Sequence, residues 1–200
     1  SVYGERDLWV IAGGVDLSRV KMTSDEIRRA FENALGHCLG DPEFAIDGDF
    51  VTMTMRSRKT LLAETASASE KKEEETVNGD MTSSFESRDG HYYAIISDGM
   101  GSGRDAALSS RLCGVFCEKM LSAGNSMALT VELLNNFIRQ KSTECFATVD
   151  MLELDLLSGK ASFIKSGAAP SFVKRGSSIF RLRSDTAPTC AEKSSELRNL

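Results

Sequence analysis

The 200-residue chain contains few of the residues that build zinc sites and disulfide scaffolds. It has five cysteines and two histidines, and no Cys-x-x-Cys pair occurs. The cysteines are odd in number and too sparse for a disulfide framework, so we expect a reducing environment such as the cytosol. Cys113 and Cys117 lie four residues apart on a predicted helix, and we interpret them as small core residues rather than zinc ligands.

Long apolar runs and excess positive charge are also missing. No run of 18 apolar residues occurs, so we expect neither a membrane-spanning helix nor a signal peptide in this chain. The 24 basic residues are outnumbered by 29 acidic ones, which gives a net charge of −5. General nucleic-acid binders are usually basic, so no nucleic-acid partner is expected. The hydrophobic content of 41% is enough for a buried core in one or two domains.

Glycine is concentrated at one corner of the chain. The aromatic and β-branched run Tyr92–Ile96 is typical of a buried strand, and it leads to Asp98 and then to Gly99, Gly101 and Gly103. A helix is predicted from Arg104 to Ala123. Asp98 is therefore predicted to lie at a strand-to-helix corner with exposed backbone beside it.

Three interpretations of this corner are open. The pattern Gly101-x-Gly103-x-x-Ala106 matches a dinucleotide-binding fingerprint, which requires a further parallel strand carrying an acidic residue. A second helix, Met127–Lys141, is predicted there instead. The corner can also be a tight turn without a ligand. The third interpretation is a divalent-metal site built on the Asp98 carboxylate.

A second aspartate favours the metal interpretation. Asp80 follows Gly79 and begins the predicted strand Met81–Phe85, and Arg88-Asp89-Gly90 then turns the chain back toward Asp98. In an antiparallel pair, the start of one strand lies beside the end of the other. Two ionised carboxylates in that position repel each other unless a proton or a cation separates them. Mg²⁺ or Mn²⁺ is the expected occupant.

The N-terminal part is predicted to be a separate module. Leu8–Ala12 is a strand, and Thr23-Ser24-Asp25-Glu26 begins a helix with one apolar stripe that ends at Gly36. Phe50–Met55 alternates as a half-buried strand, and Leu61–Ser67 is a further strand candidate. Nothing in this module indicates catalysis.

The second module is predicted to contain amphipathic helices outside an antiparallel meander. The apolar face of the first helix is assigned to Leu108, Leu112, Val115, Phe116 and Met120, and that of the second to Val131, Leu134 and Ile138. The predicted strands are 147–156, 161–166, 171–174 and 179–183. Asp150, Glu153 and Asp155 are interpreted as a solvent-facing row of the first of these strands.

Four segments carry a resemblance to a known family. They are Asn78-Gly79-Asp80, Ser97–Gly103, Thr148-Val149-Asp150 and Lys165–Phe172. In this order and spacing they resemble the phosphatase region of the stage II sporulation protein E family, of clostridial type, within the metal-dependent type 2C protein phosphatases. The resemblance covers about residues 70–188.

The resemblance implies an α+β fold, with an antiparallel β-sandwich flanked by helices and its final strands missing. Residues 1–68 are expected to form a small α+β regulatory module that precedes it. Residues 69–188 are expected to form a partial metal-dependent phosphatase domain, followed by a tail, 189–200, without family resemblance. The family takes its remaining metal-ligand aspartates from further downstream, so we expect a C-terminally truncated fragment without activity.

The resemblance also implies a function. The metal ligands are Asp80, Asp98 and the Gly99 carbonyl, holding Mn²⁺ or Mg²⁺, of which the complete domain binds two. No protein side chain is the nucleophile, because a metal-bound water attacks the phosphoserine of an anti-sigma-factor antagonist during sporulation.

The resemblance places the full-length protein, anchored by an N-terminal membrane region, at the cytoplasmic face of the membrane or at the sporulation septum. The fragment itself is expected to be soluble, and a homodimer is left open. The alternative function is a non-catalytic regulatory or interaction module built on a partial phosphatase core.

Overall fold

The structure is a computed structural model, and it describes residues 1–4, 7–70, 77–101, 103–140, 146–184 and 196–199. The chain divides into two compact units, Ser1–Leu62 with Leu156–Gly159, and Ala63–Asp155 with Lys160–Leu200. The predicted boundary between residues 68 and 69 stays a prediction. The predicted charged linker Lys71–Glu75, as well as Cys145 and Cys190, lie outside the described residues.

The first unit is a four-stranded antiparallel sheet with one helix. Its strands lie in the order β1-β2-β4-β3, and their bounds are β1 Val2–Tyr3, β2 Trp9–Gly13, β3 Glu43–Asp47 and β4 Phe50–Arg56, with helix α1 at Ser24–Leu35. The sequence predicts β2, β4 and α1, but it does not predict β3. The strand expected at Leu61–Ser67 is wrong, because residues 61–67 pair with no strand.

Helix α1 begins and ends where its local sequence predicts. Thr23 is the N-cap of a capping box, in which its hydroxyl accepts from the Glu26 amide at 3.3 Å and the Glu26 carboxylate accepts from the Thr23 amide at 2.8 Å. Gly36 ends the helix at φ 69°, a left-handed conformation that glycine adopts without strain. Ile27 then packs with buried residues of the sheet, among them Val10 and Met55.

Thr23→Ala is expected to destabilise the first unit by about 1 kcal/mol, because it removes the acceptor for an otherwise unsatisfied helix amide. Hydrogen bonds from the Thr23 amide and from its hydroxyl lower the pKa of Glu26 below its ordinary value of 4.5, and the alanine variant loses only the hydroxyl bond. Stabilisation from a lowered carboxyl pKa is present above the unfolded pKa and is lost as the pH falls through the folded one. The part of the difference between variant and parent that comes from the hydroxyl bond should therefore be lost in acid below pH 4.5.

Trp9 is the only tryptophan in the chain and lies in β2, so its fluorescence during urea unfolding measures this difference. Ser24→Ala is the matched control, because Ser24 lies inside the helix and makes neither capping-box bond. An equal loss of stability in the two variants would contradict the capping assignment.

The second unit is built on a five-stranded antiparallel sheet in the order β11-β8-β7-β6-β5. Its strands are β5 Asp80–Glu86, β6 His91–Gly99, β7 Ala147–Asp155, β8 Ala161–Ser166 and β11 Glu196–Asn199, and its helices are α2 Gly103–Ser122 and α3 Met127–Arg139. Strands β9 Ser171–Arg175 and β10 Ser178–Leu182 form a separate two-stranded sheet. Of the predicted meander, the antiparallel pairs β7–β8 and β9–β10 are confirmed, but β8 does not pair with β9. The mixed α+β class is confirmed for the chain.

Both helices contribute to a core on one face of the large sheet. Val131, Leu134 and Ile138 of α3 are buried as predicted. For α2 the predicted face is right only in part. Leu112 and Phe116 pack against the core, but Leu108 is 68% exposed and Val115 is 43% exposed. The buried residues of α2 are mostly small, namely Ala106, Ser109, Ser110, Cys113, Gly114, Cys117 and Leu121. Small side chains let the helix backbone approach the sheet closely, and this requirement outweighs the apolar stripe.

Cys113 and Cys117 are fully buried in this core, which agrees with their interpretation as packing residues. Burial raises the pKa of the Cys117 thiol to about 12. No helix in the described part of the chain combines the length and the apolar character needed to cross a bilayer.

Candidate metal centre

The two predicted metal ligands lie directly opposite each other in the sheet. Strands β5 and β6 pair in antiparallel register with Asp80 beside Asp98, and both residues are exposed. The register follows from the turn at Arg88-Asp89-Gly90, where Gly90 has φ 81°. Residues paired directly across two strands project from the same face of a sheet. The structure therefore brings the two carboxylates together at one end of one face.

The hydrogen-bond pattern at this end of the sheet brings the two aspartates closer. The Gly99 amide donates to the Gly79 carbonyl at 3.2 Å, one position beyond the aspartate pair. Hydrogen-bonded and non-hydrogen-bonded pairs alternate along an antiparallel ladder, so Asp80 and Asp98 form a non-hydrogen-bonded pair. In such pairs the Cα atoms are about 4.5 Å apart and the side chains approach most closely.

Thr148 fixes the backbone of Asp98 from the other side. It lies opposite Asp98 at the start of β7, and its hydroxyl accepts from the Asp98 amide at 3.2 Å. The Ser97 hydroxyl also donates to the Thr148 carbonyl, at 2.9 Å. These bonds hold the end of β6 to β7. The sequence analysis did not identify Thr148 as a site residue, although it lies in one of the resembling segments.

Asn78 holds the start of β5 in a similar way. Its side-chain oxygen accepts from the Asp80 amide at 2.9 Å, an Asx turn that leads into the strand. Among the described residues its side-chain nitrogen is buried and has no hydrogen-bond acceptor. A buried donor without a partner usually indicates a missing water or ligand. The Asn78 side chain beside Asp80 thus has a free donor for an oxygen acceptor, such as a water molecule of a hydrated cation.

Gly99 lies under the first turn of α2. A Cβ atom at this position would come within 1.8 Å of the Ala106 carbonyl oxygen, so only glycine fits. Gly101 at φ 105° and Gly103 at φ 69° allow the chain to turn from the strand into the helix. This close packing sets the position of the Gly99 carbonyl, the third predicted metal ligand.

The dinucleotide interpretation of the glycine corner does not fit the topology. After α2 and α3 the chain returns as β7, which pairs with β6 in antiparallel direction. The fingerprint requires a parallel strand–helix–strand unit. The corner therefore belongs to an antiparallel sheet, and two carboxylates remain its main chemical feature.

The described residues supply an incomplete metal site. No group of three or more His, Cys, Asp and Glu side chains converges anywhere in the described ranges. Two carboxylates and one backbone carbonyl are hard oxygen donors that suit Mg²⁺ or Mn²⁺, which complete their coordination with water. These donors have the chemistry that Mg²⁺ and Mn²⁺ prefer, but three donors are few for a metal site.

Asp150, Glu153 and Asp155 do not form the predicted solvent-facing row. The Asp150 side chain is only 16% exposed and pairs with Lys165, which is 3% exposed. Glu153 accepts from the Tyr93 hydroxyl at 2.8 Å and projects from the opposite face. The two faces follow from the strand period of two, because positions 150 and 153 differ by an odd number.

Comparison with known families relates this geometry to a function. Residues 88–199 match the family described as Stage II sporulation protein E (SpoIIE). This match covers more than half of the chain. The chain belongs to the stage II sporulation protein E family. The matched residues include the segment after residue 188, which the sequence analysis placed outside the resemblance.

A curated member of the family, stage II sporulation protein E of Bacillus subtilis, is 32% identical over 133 residues. These residues are 66% of this chain but only 16% of the Bacillus protein. The chain therefore spans a small part of the length of the curated relatives that it matches.

Solved structures show the same fold. The PP2C phosphatase domain of SpoIIE from Bacillus subtilis, solved with a fragment of its regulatory domain, aligns with a TM-score of 0.77 at 22% identity. The alignment covers all of this chain and 60% of that one. RsbX in complex with magnesium aligns with a TM-score of 0.56 at 18% identity, over 64% of this chain and 63% of that one. The chain thus has a type 2C phosphatase fold, as the SpoIIE resemblance implies.

Proposed function

We propose that this chain forms part of a metal-dependent protein serine phosphatase of the SpoIIE family. The observation that carries the proposal is the pairing of Asp80 with Asp98 at one sheet end. Two ionised carboxylates at this separation repel each other unless a proton or a cation separates them, and a cation relieves the repulsion without neutralising either ligand. Family membership and the type 2C fold support the same conclusion.

The proposed ligands are the Asp80 and Asp98 carboxylates and the Gly99 carbonyl. Two Mn²⁺ or Mg²⁺ ions, when bound to a complete site, would supply Lewis-acid stabilisation of the phosphoryl oxygens and would activate the attacking water. Mg²⁺ in the RsbX complex supports this choice of ion by fold.

The chain's own residues hold this site in place. Thr148 and Asn78 fix the backbones of the two aspartates through the hydrogen bonds described above. Because the backbones at both strand ends are already held, they need little rearrangement when a cation binds, and this lowers the cost of binding. No side chain of the chain is required as a nucleophile in this proposal.

The proposed substrate is a phosphoserine on an antagonist of an anti-sigma factor, so that dephosphorylation releases a sigma factor during sporulation. Similarity in fold to a structure containing RsbU and RsbW domains, from Mycobacterium tuberculosis, is compatible with a protein substrate. We further propose that the full-length protein acts at the cytoplasmic face of a membrane or the sporulation septum. A homodimer is left open.

Phosphate release from the phosphorylated antagonist tests the proposal. A longer native form of the protein should release phosphate with Mn²⁺, and release should stop with a chelator or with Asp98→Asn. The present chain should bind Mn²⁺ weakly and show no appreciable turnover, since three donors do not fix two ions about 4 Å apart.

The alternative is a non-catalytic interaction module. Chelator-resistant binding of the antagonist, together with absence of Mn²⁺-dependent phosphate release by the longer form, would replace the enzyme proposal with this alternative. Robust turnover by the present 200-residue chain would show that the donor set is more complete than proposed.

A further inference from the structure

A buried ionic cluster lies on the same face of the sheet as the proposed metal ligands. Its members are Asp150 of β7, Lys165 of β8 and Ser171 of β9, and we call it the Asp150 cluster. The Lys165 ammonium donates to the Asp150 carboxylate, and it donates to the Ser171 hydroxyl at 2.7 Å. The Ser171 hydroxyl donates to the Asp150 carboxylate at 2.6 Å. Each pair of members is hydrogen-bonded.

Burial makes this cluster costly to break. Lys165 is 3% exposed, and the Asp150 side chain is 16% exposed. Removing one partner of a buried ion pair leaves an uncompensated charge, whereas removing both charges together is often tolerated. The pair therefore behaves as one neutral unit in the folded chain.

The strand register places this unit beside the proposed metal site. Thr148 lies opposite Asp98, and Asp150 is two residues further along β7 on the same face. Asp98 and Asp150 are thus diagonal neighbours, for which the separation in a sheet is about 7–8 Å. Asp150 pairs directly with Lys165 on the next strand. A net charge on either member would act on a cation held by Asp98.

We infer that Asp150 and Lys165 are a charge-balanced positioning pair that sets the electrostatic potential at the Asp80–Asp98 metal site. The inference rests on the proposed function. Paired, the two charges cancel, so the cation experiences mainly its own ligands. Unpaired, Asp150 attracts the cation and Lys165 repels it. Ser171 holds the pair together without adding charge.

Two substitutions of similar shape separate this role from a merely structural one. Lys165→Met leaves the Asp150 charge and should tighten Mn²⁺ binding, while Asp150→Asn leaves the Lys165 charge and should weaken it. Coulomb's law with the dielectric constant of water gives about fivefold in each direction for a unit charge about 8 Å from a divalent ion. A packing role alone would move both variants in the same direction.

The double variant Lys165→Met/Asp150→Asn is neutral again. Its Mn²⁺ dissociation constant should return to within about twofold of the parent, as charge cancellation requires. Ser171→Ala is the matched control, because it removes two hydrogen bonds of the Asp150 cluster without changing its charge. It should lower the melting temperature and leave the dissociation constant unchanged.

Mn²⁺ itself is the probe, and the electron paramagnetic resonance signal of free Mn²⁺ measures weak binding as well as tight binding. Circular dichroism checks that each variant is folded. If one single variant does not fold, the other decides: a shift of Mn²⁺ affinity in its expected direction supports the inference, and an unchanged or opposite affinity overturns it. Lost affinity in the folded double variant also overturns it. The inference is also overturned if the Mn²⁺ dissociation constants of the two single variants change in the same direction.

Failure of the inference can be told apart from failure of the proposed function. If the parent chain binds Mn²⁺ and Asp98→Asn abolishes binding, but the charge variants change nothing, only the role of the Asp150 cluster is wrong. If neither the parent chain nor the longer form binds Mn²⁺, both are overturned.

Discussion

Asp98→Asn is expected to reduce Mn²⁺ affinity by more than about tenfold, the largest effect of any acidic substitution in the chain. The change removes a full negative charge from the strand end and leaves an amide oxygen, which is a much weaker ligand for a hard cation. Isothermal calorimetry or the free-ion resonance signal measures the loss. Asp80→Asn should also reduce the Mn²⁺ affinity, by less than Asp98→Asn, because Asp80 lies directly opposite.

Glu86→Gln provides the control. Glu86 lies on the same face of β5 as Asp80, six residues along the strand, which corresponds to about 20 Å. The charge change is the same, but at this separation screening by salt leaves little effect on the site. Unchanged Mn²⁺ affinity in Asp98→Asn, or an equal loss in Glu86→Gln, would place the metal elsewhere.

Gly99→Ala is expected to destabilise the second unit by about 3 kcal/mol, at the upper end of the usual cost of overpacking. The added Cβ would come within 1.8 Å of the Ala106 carbonyl oxygen and 2.9 Å of its Cα atom. Both are backbone atoms, so α2 must move away from β6. In a chain of this size, the melting temperature should fall by about 6–12 °C.

Gly79→Ala is the matched control for this substitution. Gly79 lies opposite Gly99 in the ladder, yet its added Cβ would meet the nearest atom, the Ala106 side chain, at an ordinary 3.5 Å. The control should change stability by less than about 1 kcal/mol. Thermal unfolding followed by circular dichroism compares the two variants. Equal effects would mean that α2 does not pack on Gly99 as closely as the structure places it.

One contact of Gly99 affects both the stability of the second unit and the affinity for Mn²⁺. The same contact that excludes a side chain at Gly99 fixes the direction of its carbonyl, the proposed third ligand. Gly99→Ala should therefore also weaken Mn²⁺ binding, while Gly79→Ala should not. A variant with lowered melting temperature and unchanged Mn²⁺ affinity would remove the Gly99 carbonyl from the ligand set.

Short-range signals explain why much of the site was predictable. The turn Arg88-Asp89-Gly90 lies between two strands with clear patterns, so it fixes the register that brings Asp80 beside Asp98. The capping box at Thr23 and the glycine at position 36 likewise determine the ends of α1. In each case the determining residues lie within one turn of the chain.

Lys165 is a residue whose role short-range sequence signals do not predict. It was noted only as part of a resembling segment, and its partner Asp150 was assigned to solvent. The hairpin turn at Ser158-Gly159 sets the register between β7 and β8. This register places Asp150 opposite Lys165, so the pairing can be predicted from the sequence. The pair also hydrogen-bonds Ser171, which comes from the separate β9–β10 sheet.

The sequence by itself determined the family, the order of most strands and helices, and the two aspartates that face each other, because these depend on local turns, caps and residue patterns. Tertiary structure alone decided which face of α2 is buried, since close approach to the sheet selects small residues over the apolar stripe. It also decided the pairing of β11 with β8 and the burial of Lys165. These features join residues distant in the chain, and the free energy of such contacts exists only once the sheet has formed.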